Sequence, residues 1–369
     1  MKRERLNEID ILRGIAFIFV VVQHTLGGFS NIKGLPYSSY TVMKIMYVMG
    51  KPAVPMFLFI SAVALFYVSF NNFDWKKYYA KRIKYILIPY VIWSAINMIK
   101  LGNEERFKDF IVQVIAGNGA FHLWYMGMAL GLYLIFPIIL WIAKRIHSLD
   151  IKIRTSIFVL LLCLYYQISK YQSVISDNTA RFIFGTPTEV QQRIINISIL
   201  FWFIYFVLGV YLALNYGYIK KKLVEFKVGI YGAYGLLFIY AYLNEINKVK
   251  YVRILSLLYM IVSILAFYLI SVKLVEKVKV YKSMKFIGDY SFASYMAHVI
   301  VINYVANDIM IRFNTRNYLI VGVLTLIITV VVTPVFIKLI SFIPFSEYIT
   351  GSKVSRKKFI IKEEYSKTA

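Results

Sequence analysis

The chain has 369 residues, 60% of them hydrophobic, and its mean hydropathy is +0.65. A soluble globular domain is nearer half apolar, so the excess calls for lipid as the solvent. Lys and Arg outnumber Asp and Glu by 43 to 18, a net charge of +25; the basic residues lie between apolar runs and no nucleic-acid-binding motif accompanies them, which suits loops beside anionic lipid and argues against nucleic acid as a partner.

The start, MKRERLNEIDILRG, has the charge of a signal-peptide n-region, but no small-x-small cleavage site follows and further apolar runs do, so the first apolar segment is expected to be retained. A bilayer core of about 30 Å needs roughly 20 apolar residues as helix. Ten segments answer to that in chain order: 9–29, 45–70, 84–100, 121–143, 155–170, 195–216, 228–243, 252–272, 286–306 and 317–340, the third, fifth and seventh being short. If they alternate from a cytoplasmic N-terminus, the inner loops hold 27 Lys and Arg and the outer loops 14. That is the positive-inside bias with both termini cytoplasmic. The expected fold is all-α, a polytopic transmembrane bundle of about ten spans, with residues 1–345 as the multi-pass domain and 346–369 as a charged cytoplasmic tail. The single cysteine, Cys163, lies in the apolar run 157–164 and reads as packing. No Cys/His spacing suggests zinc, and no resident metal is expected.

Ionisable groups at membrane depth are costly and usually face a cavity or a partner. In the first span, EIDILRGIAFIFVVVQHTL, Arg13 and His24 are eleven residues apart. That is about three helical turns, so both share one face, roughly 16 Å apart along the axis. Asp10 precedes Arg13 by three residues and can pair with it. The same residues also fit an interfacial Asp10–Arg13 anchor and a packed His24. Gly50, Pro52 and Pro55 interrupt the second span. The loop WKKYYAKRIKYILIPY is the densest cationic stretch between spans, with Arg82 and Lys84 flanking Ile83. Such groups suit either ordinary positive-inside charge or a phosphate-rich ligand. His122 opens the fourth span, on the outer side in this topology. His24 lies about 22 Å into its own span, so the two imidazoles can meet at similar depth. Beside Trp124 and Tyr125, His122 also fits an aromatic belt. His298, mid-span in the ninth segment, suits core packing and a site role equally, and His147 reads as solvated in a basic loop.

Taken in order, these pieces resemble the acyltransferase 3 family of integral membrane acyltransferases, from Leu6 to about Ile340. Arg13 and His24 match its Arg-x10-His signature in an Asp-x-x-Arg-Gly context formed with Asp10 and Gly14. VPMFLFISA resembles the family's VPLFFVISG, with Ala62 at the usual glycine, and Arg82-Ile83-Lys84 resembles Arg-x-Arg with lysine in second place. His122-Leu-Trp-Tyr-Met matches HLWYL, followed by the usual proline at Pro137. YSFASYMAH, ending at His298, resembles the late Ser-x-x-x-Tyr-x-x-His pattern. RIKYILIPY and FWFIYFVLGVYLALNY are similar to stand-alone members, the intercellular-adhesin polysaccharide O-acyltransferases of Gram-positive bacteria.

The resemblance implies transfer of an acyl group, often acetyl and sometimes succinyl, to a hydroxyl of an envelope or exported polysaccharide. The donor would be cytoplasmic acyl-CoA, a co-substrate rather than a bound cofactor. It implies a multi-pass protein of the bacterial plasma membrane, among membrane lipids, with glycan-synthesis proteins as further partners. It also implies Arg13, held by Asp10, towards the donor and His24 or His122 as the base. Arg82 and Lys84 would meet the CoA phosphates, while Trp124, Tyr125 and His298 would line the sugar side. Apart from the resemblance, a transporter or flippase for a glycan or lipid-linked sugar could use the same polar path. The breaks in the second span suit it, although no internal repeat is visible. A receptor or scaffold would leave the intramembrane Arg and His without a purpose.

Overall fold

The computed structural model describes residues 6–352. Among the described residues there is no β-strand, and eighteen α-helices follow one another. They are α1 (Asn7–His24), α2 (Leu26–Phe29), α3 (Tyr37–Gly50), α4 (Ala53–Ser69), α5 (Trp75–Arg82), α6 (Ile88–Lys100), α7 (Phe110–Ile115), α8 (Trp124–His147), α9 (Ile151–Lys170), α10 (Gln172–Phe184), α11 (Glu189–Asn196), α12 (Phe203–Leu214), α13 (Tyr216–Glu225), α14 (Lys227–Glu245), α15 (Arg253–Leu274), α16 (Val278–Arg312), α17 (Tyr318–Ile340) and α18 (Glu347–Thr350). A π-helical turn, Ile83–Leu87, joins α5 to α6.

Among the described residues, six segments are long and apolar enough to cross a membrane: Asn7–Phe29, Tyr37–Ser69, Phe121–His147, Ile151–Lys170, Arg253–Leu274 and Tyr318–Ile340. Counted as one broken span, α12 and α13, bent by 104° at their junction, would make seven. The other expected crossings are helical too: α6, of only 13 residues, α14, and α16, in which Lys279, Lys282 and Lys285 precede the apolar stretch within one continuous helix. Against the ten crossings expected from the sequence, helix length and composition pick out six or seven among the described residues.

The bundle is built around α1, whose buried residues run from Glu8 to Val22 on nearly every side. A helix apolar all round is one surrounded by others, and α1 packs against α16, α4, α15 and α3. Its closest approach is to α16. A Cβ added at Gly14 would lie 2.7 Å from the Met284 carbonyl oxygen, and one at Gly288 would lie 2.6 Å from that of Asp10. Two facing glycines thus bring the Arg13 and His298 helices into backbone contact. Ala62, where the family pattern has glycine, is fully buried on α4 against Gly209 of α12, whose added Cβ would meet it at 2.7 Å. The crossing keeps one glycine instead of two.

By contrast, α9 stands at the edge, and its Cys163 is exposed rather than packed. Residues 346–352 close on the bundle through α18, where Trp93 Nε1 donates to the Ile349 carbonyl at 2.9 Å. The rest of the tail, 353–369, lies outside the described residues.

Candidate active site

Arg13, near the N-terminal end of α1, lines a cavity of about 510 Å³ with Lys77, Lys81 and Arg82 of α5, Tyr125 and Tyr133 of α8, and Tyr295 of α16. Asp74 is the one carboxylate in that wall. It caps α5 by accepting from the Lys77 backbone N–H at 3.1 Å, which holds its carboxyl below the usual value. Four cations against one carboxylate make an anion-binding chamber.

The position of Arg82 is traceable to a proline. Pro137 lies inside α8 and has no N–H, so the carbonyl four residues earlier, that of Tyr133, loses its helical donor. The Tyr78 hydroxyl takes that carbonyl at 3.1 Å, and the Tyr79 hydroxyl takes the next, Leu134, at 2.6 Å. These two bonds fasten α5 to α8. The Arg82 guanidinium then sits 5.0 Å from the ring centres of both Tyr78 and Tyr133, a planar cation held between two aromatic faces. The π-helical turn begins at the next residue, a distortion that often marks functional sites. Lys84 does not line the chamber. Residues two apart on a helix point to different sides, and its ammonium pairs with Glu347 of α18 at 3.2 Å.

Towards the other end of α1, three imidazoles converge. The ring centres of His24 and His122 are 6.2 Å apart, those of His24 and His298 5.2 Å, and those of His122 and His298 4.9 Å. His122 and His298 are almost fully buried, while His24 is half-buried and packs edge-on to Phe121. Nδ1 of His298 meets the Tyr295 carbonyl at 2.5 Å and Nε2 of His122 meets the Met296 carbonyl at 3.4 Å. A carbonyl only accepts, so in the neutral rings these nitrogens carry the hydrogen. Nε2 of His298 and Nδ1 of His122 are left as buried lone pairs with no protein partner. Among the described residues no three His, Cys, Asp or Glu side chains are arranged to hold a metal ion.

Tyr295 joins the two regions. It lines the basic chamber, its hydroxyl donates to the His122 carbonyl, and its own carbonyl receives His298. Tyr125, with its ring centre 5.7 Å from that of Tyr295, belongs to the same floor. Its neighbour Trp124 lines a separate pocket with Gln23 and Lys51, so the expected pairing of Trp124 and Tyr125 in one mouth is split by the roughly 100° between consecutive helical residues. Asp10 is 6% exposed, one turn before Arg13.

Arg193, unremarked in the sequence, holds the loop that delivers His122. It donates to the carbonyls of Ala116, Gly117 and Phe121 at 3.0, 3.1 and 3.3 Å, while Arg106 takes that of Asn118 at 2.6 Å. The loop 116–121 has no helical ladder of its own, so these carbonyls need outside donors. No side-chain motif signals such a role. Tyr295 was visible within Ser-x-x-x-Tyr-x-x-His, where spacing of three places it on the face of His298.

The histidine cluster, the arginine on the same central helix and the chamber beneath them follow the order of the acyltransferase 3 motifs. The sequence profile of that family, an acyltransferase domain, matches residues 6–337. The chain belongs to this family. No curated protein and no solved structure matches it. As a membrane acyltransferase, the protein has one helix, α1, that carries a residue of each region: Arg13 in the chamber and His24 in the cluster.

Proposed function

We propose that the protein transfers an acyl group, acetyl in the first instance, from cytoplasmic acyl-CoA to a hydroxyl of an envelope or exported polysaccharide. In this reading ten spans cross the bacterial plasma membrane with both termini in the cytoplasm, and glycan-synthesis proteins supply the acceptor. The observation that carries it is the placement, along one central helix, of a cationic chamber at one end and three converging histidines towards the other.

The chamber suits the phosphates of the donor, with Arg82 held between two tyrosines as a bidentate fork. The thioester then points past Tyr125 and Tyr295 towards the imidazoles. One of the ring nitrogens with a free lone pair takes the proton of the sugar hydroxyl as its oxygen attacks the thioester carbon. The C–O bond forms, the C–S bond breaks, and the proton passes to the departing thiolate, giving CoA–SH and the ester. Arg13, about 16 Å from His24 along α1, adds a further cation to the chamber that takes the donor's phosphates. A glycan transporter would use a similar polar path but would release no CoA. Mass spectrometry of envelope glycans from cells with and without the protein tests the reading. Acyl esters present only with the protein are expected; identical glycans would contradict it.

A further inference from the structure

A second pocket, of about 280 Å³, opens beside the C-terminal part of α1. Gln23, in its wall, lies ten residues on from Arg13, about 15 Å along the helix. Six aromatic rings line the pocket: Trp124, Tyr165, Phe201, Trp202, Tyr205 and Tyr251. Tryptophan and tyrosine at a membrane boundary commonly anchor a helix in the interface, but these rings meet around a concavity. Trp124 and Trp202 lie 5.0 Å apart at 42°, and Tyr205 is 6.2 Å from Trp202. Between them are amides and cations: Gln23, Gln172, Lys51 and Arg253, with no carboxylate.

The charge in this pocket is one-sided. Lys51 is neutralised by Glu245 at 2.6 Å. Arg253 donates to the Ser169 carbonyl and pairs with no carboxylate among the described residues. Aromatic walls combined with planar amides and a guanidinium are the chemistry that holds a pyranose. The C–H faces of the sugar lie on the rings while its hydroxyls meet forked donors and amide oxygens.

Two of the three histidines stand next to this wall in sequence. His24 follows Gln23, and His122 precedes Trp124 by two residues. None of the three histidines lines the pocket itself, which shares no lining residue with the cationic chamber. We propose that this pocket is a saccharide subsite, in which one pyranose unit lies against Trp202 with hydroxyls or a carboxylate turned to Arg253. That the bound sugar is the acyl acceptor rests on the acyl-transfer reading; the binding itself does not.

The test is equilibrium binding of fluorescently labelled neutral hexose and uronic-acid tetrasaccharides to the full chain in nanodiscs, without acyl-CoA. At least one tetrasaccharide is expected to bind. Trp202→Ala should weaken it roughly tenfold, and Trp202→Phe, which keeps a ring, by no more than about threefold. Arg253→Gln should weaken the uronate more than the neutral sugar. Failure of every tetrasaccharide to bind, or binding within twofold of wild type in both Trp202→Ala and Arg253→Gln, overturns the subsite. CoA release is measured separately on the same preparations. Sugar binding at this pocket without CoA release would sink acyl transfer and leave the subsite standing, and the reverse result would do the opposite.

Discussion

His122 and His298 lie with ring centres 4.9 Å apart, and each turns one nitrogen to a carbonyl of the same helical turn, Met296 and Tyr295. The carbonyls fix opposite tautomers, Nε2–H for His122 and Nδ1–H for His298. In ¹⁵N spectra of histidine-labelled protein near neutral pH, these two residues should give the two different neutral-tautomer patterns. The same tautomer on both would contradict the hydrogen-bond assignment.

Those lone pairs and the His24 imidazole beside them are the candidate bases. Substituting the residue that acts as general base should lower kcat by about 10²–10⁴-fold. His298→Gln and His122→Gln, each compared with His24→Ala, will rank the three. A loss confined to KM in all three variants would mean that the cluster binds without doing proton transfer.

Arg193 is expected to act through the His122 loop. Arg193→Ala should cost roughly ten- to a hundredfold in kcat, with KM for acyl-CoA within about twofold. In a His122→Ala background the same substitution should cost almost nothing further. Additive losses would show that Arg193 acts elsewhere.

The link from Pro137 to Arg82 makes a two-part prediction. Tyr78→Phe leaves the Tyr133 carbonyl without its hydroxyl donor, at a cost of about 1–3 kcal/mol, and should raise KM for acyl-CoA by loosening Arg82. Adding Pro137→Ala restores a backbone N–H to that carbonyl and should recover much of the stability. The read-outs are the unfolding midpoint in detergent and KM. Arg82→Ala should raise KM for acyl-CoA more than KM for the acceptor, whereas Lys84→Ala, whose partner is Glu347, should leave KM within about twofold.

The α1–α16 contact is sensitive to a single methyl. Gly288→Ala places a carbon 2.6 Å from the Asp10 carbonyl oxygen. It should destabilise the bundle by about 1–3 kcal/mol, seen as a lower unfolding midpoint. An unchanged midpoint would show that the helices can separate at no cost.

The candidate site was legible in the sequence where side chains themselves carry the signal. Helical spacing put Arg13 and His24 on one face, and loop charge put His122 at a depth where it could meet His24, as it does at 6.2 Å. Roles played through backbone carbonyls left no trace, which is why Arg193 and the fastening of α5 by Tyr78 came only from the fold. Spacing misled where two adjacent residues were given one task. Trp124 and Tyr125 face different cavities, and Lys84 lies off the chamber that Arg82 lines. Segment lengths were read well for α15 and α17, whose apolar runs are unbroken. They were read less well at α16, where charged residues continue the same helix beyond the apolar stretch.

The central claim, that a histidine on the same helix as the chamber's Arg13 drives acyl transfer, is tested most directly by free CoA release. The assay uses proteoliposomes supplied with acyl-CoA and a glycan acceptor. Wild-type protein should release CoA only when both substrates are present, and His24→Ala, inserted to the same level, should lower the rate by at least about a hundredfold. CoA release that is undiminished in His24→Ala, or glycan movement by the wild type with no CoA release at all, would contradict it.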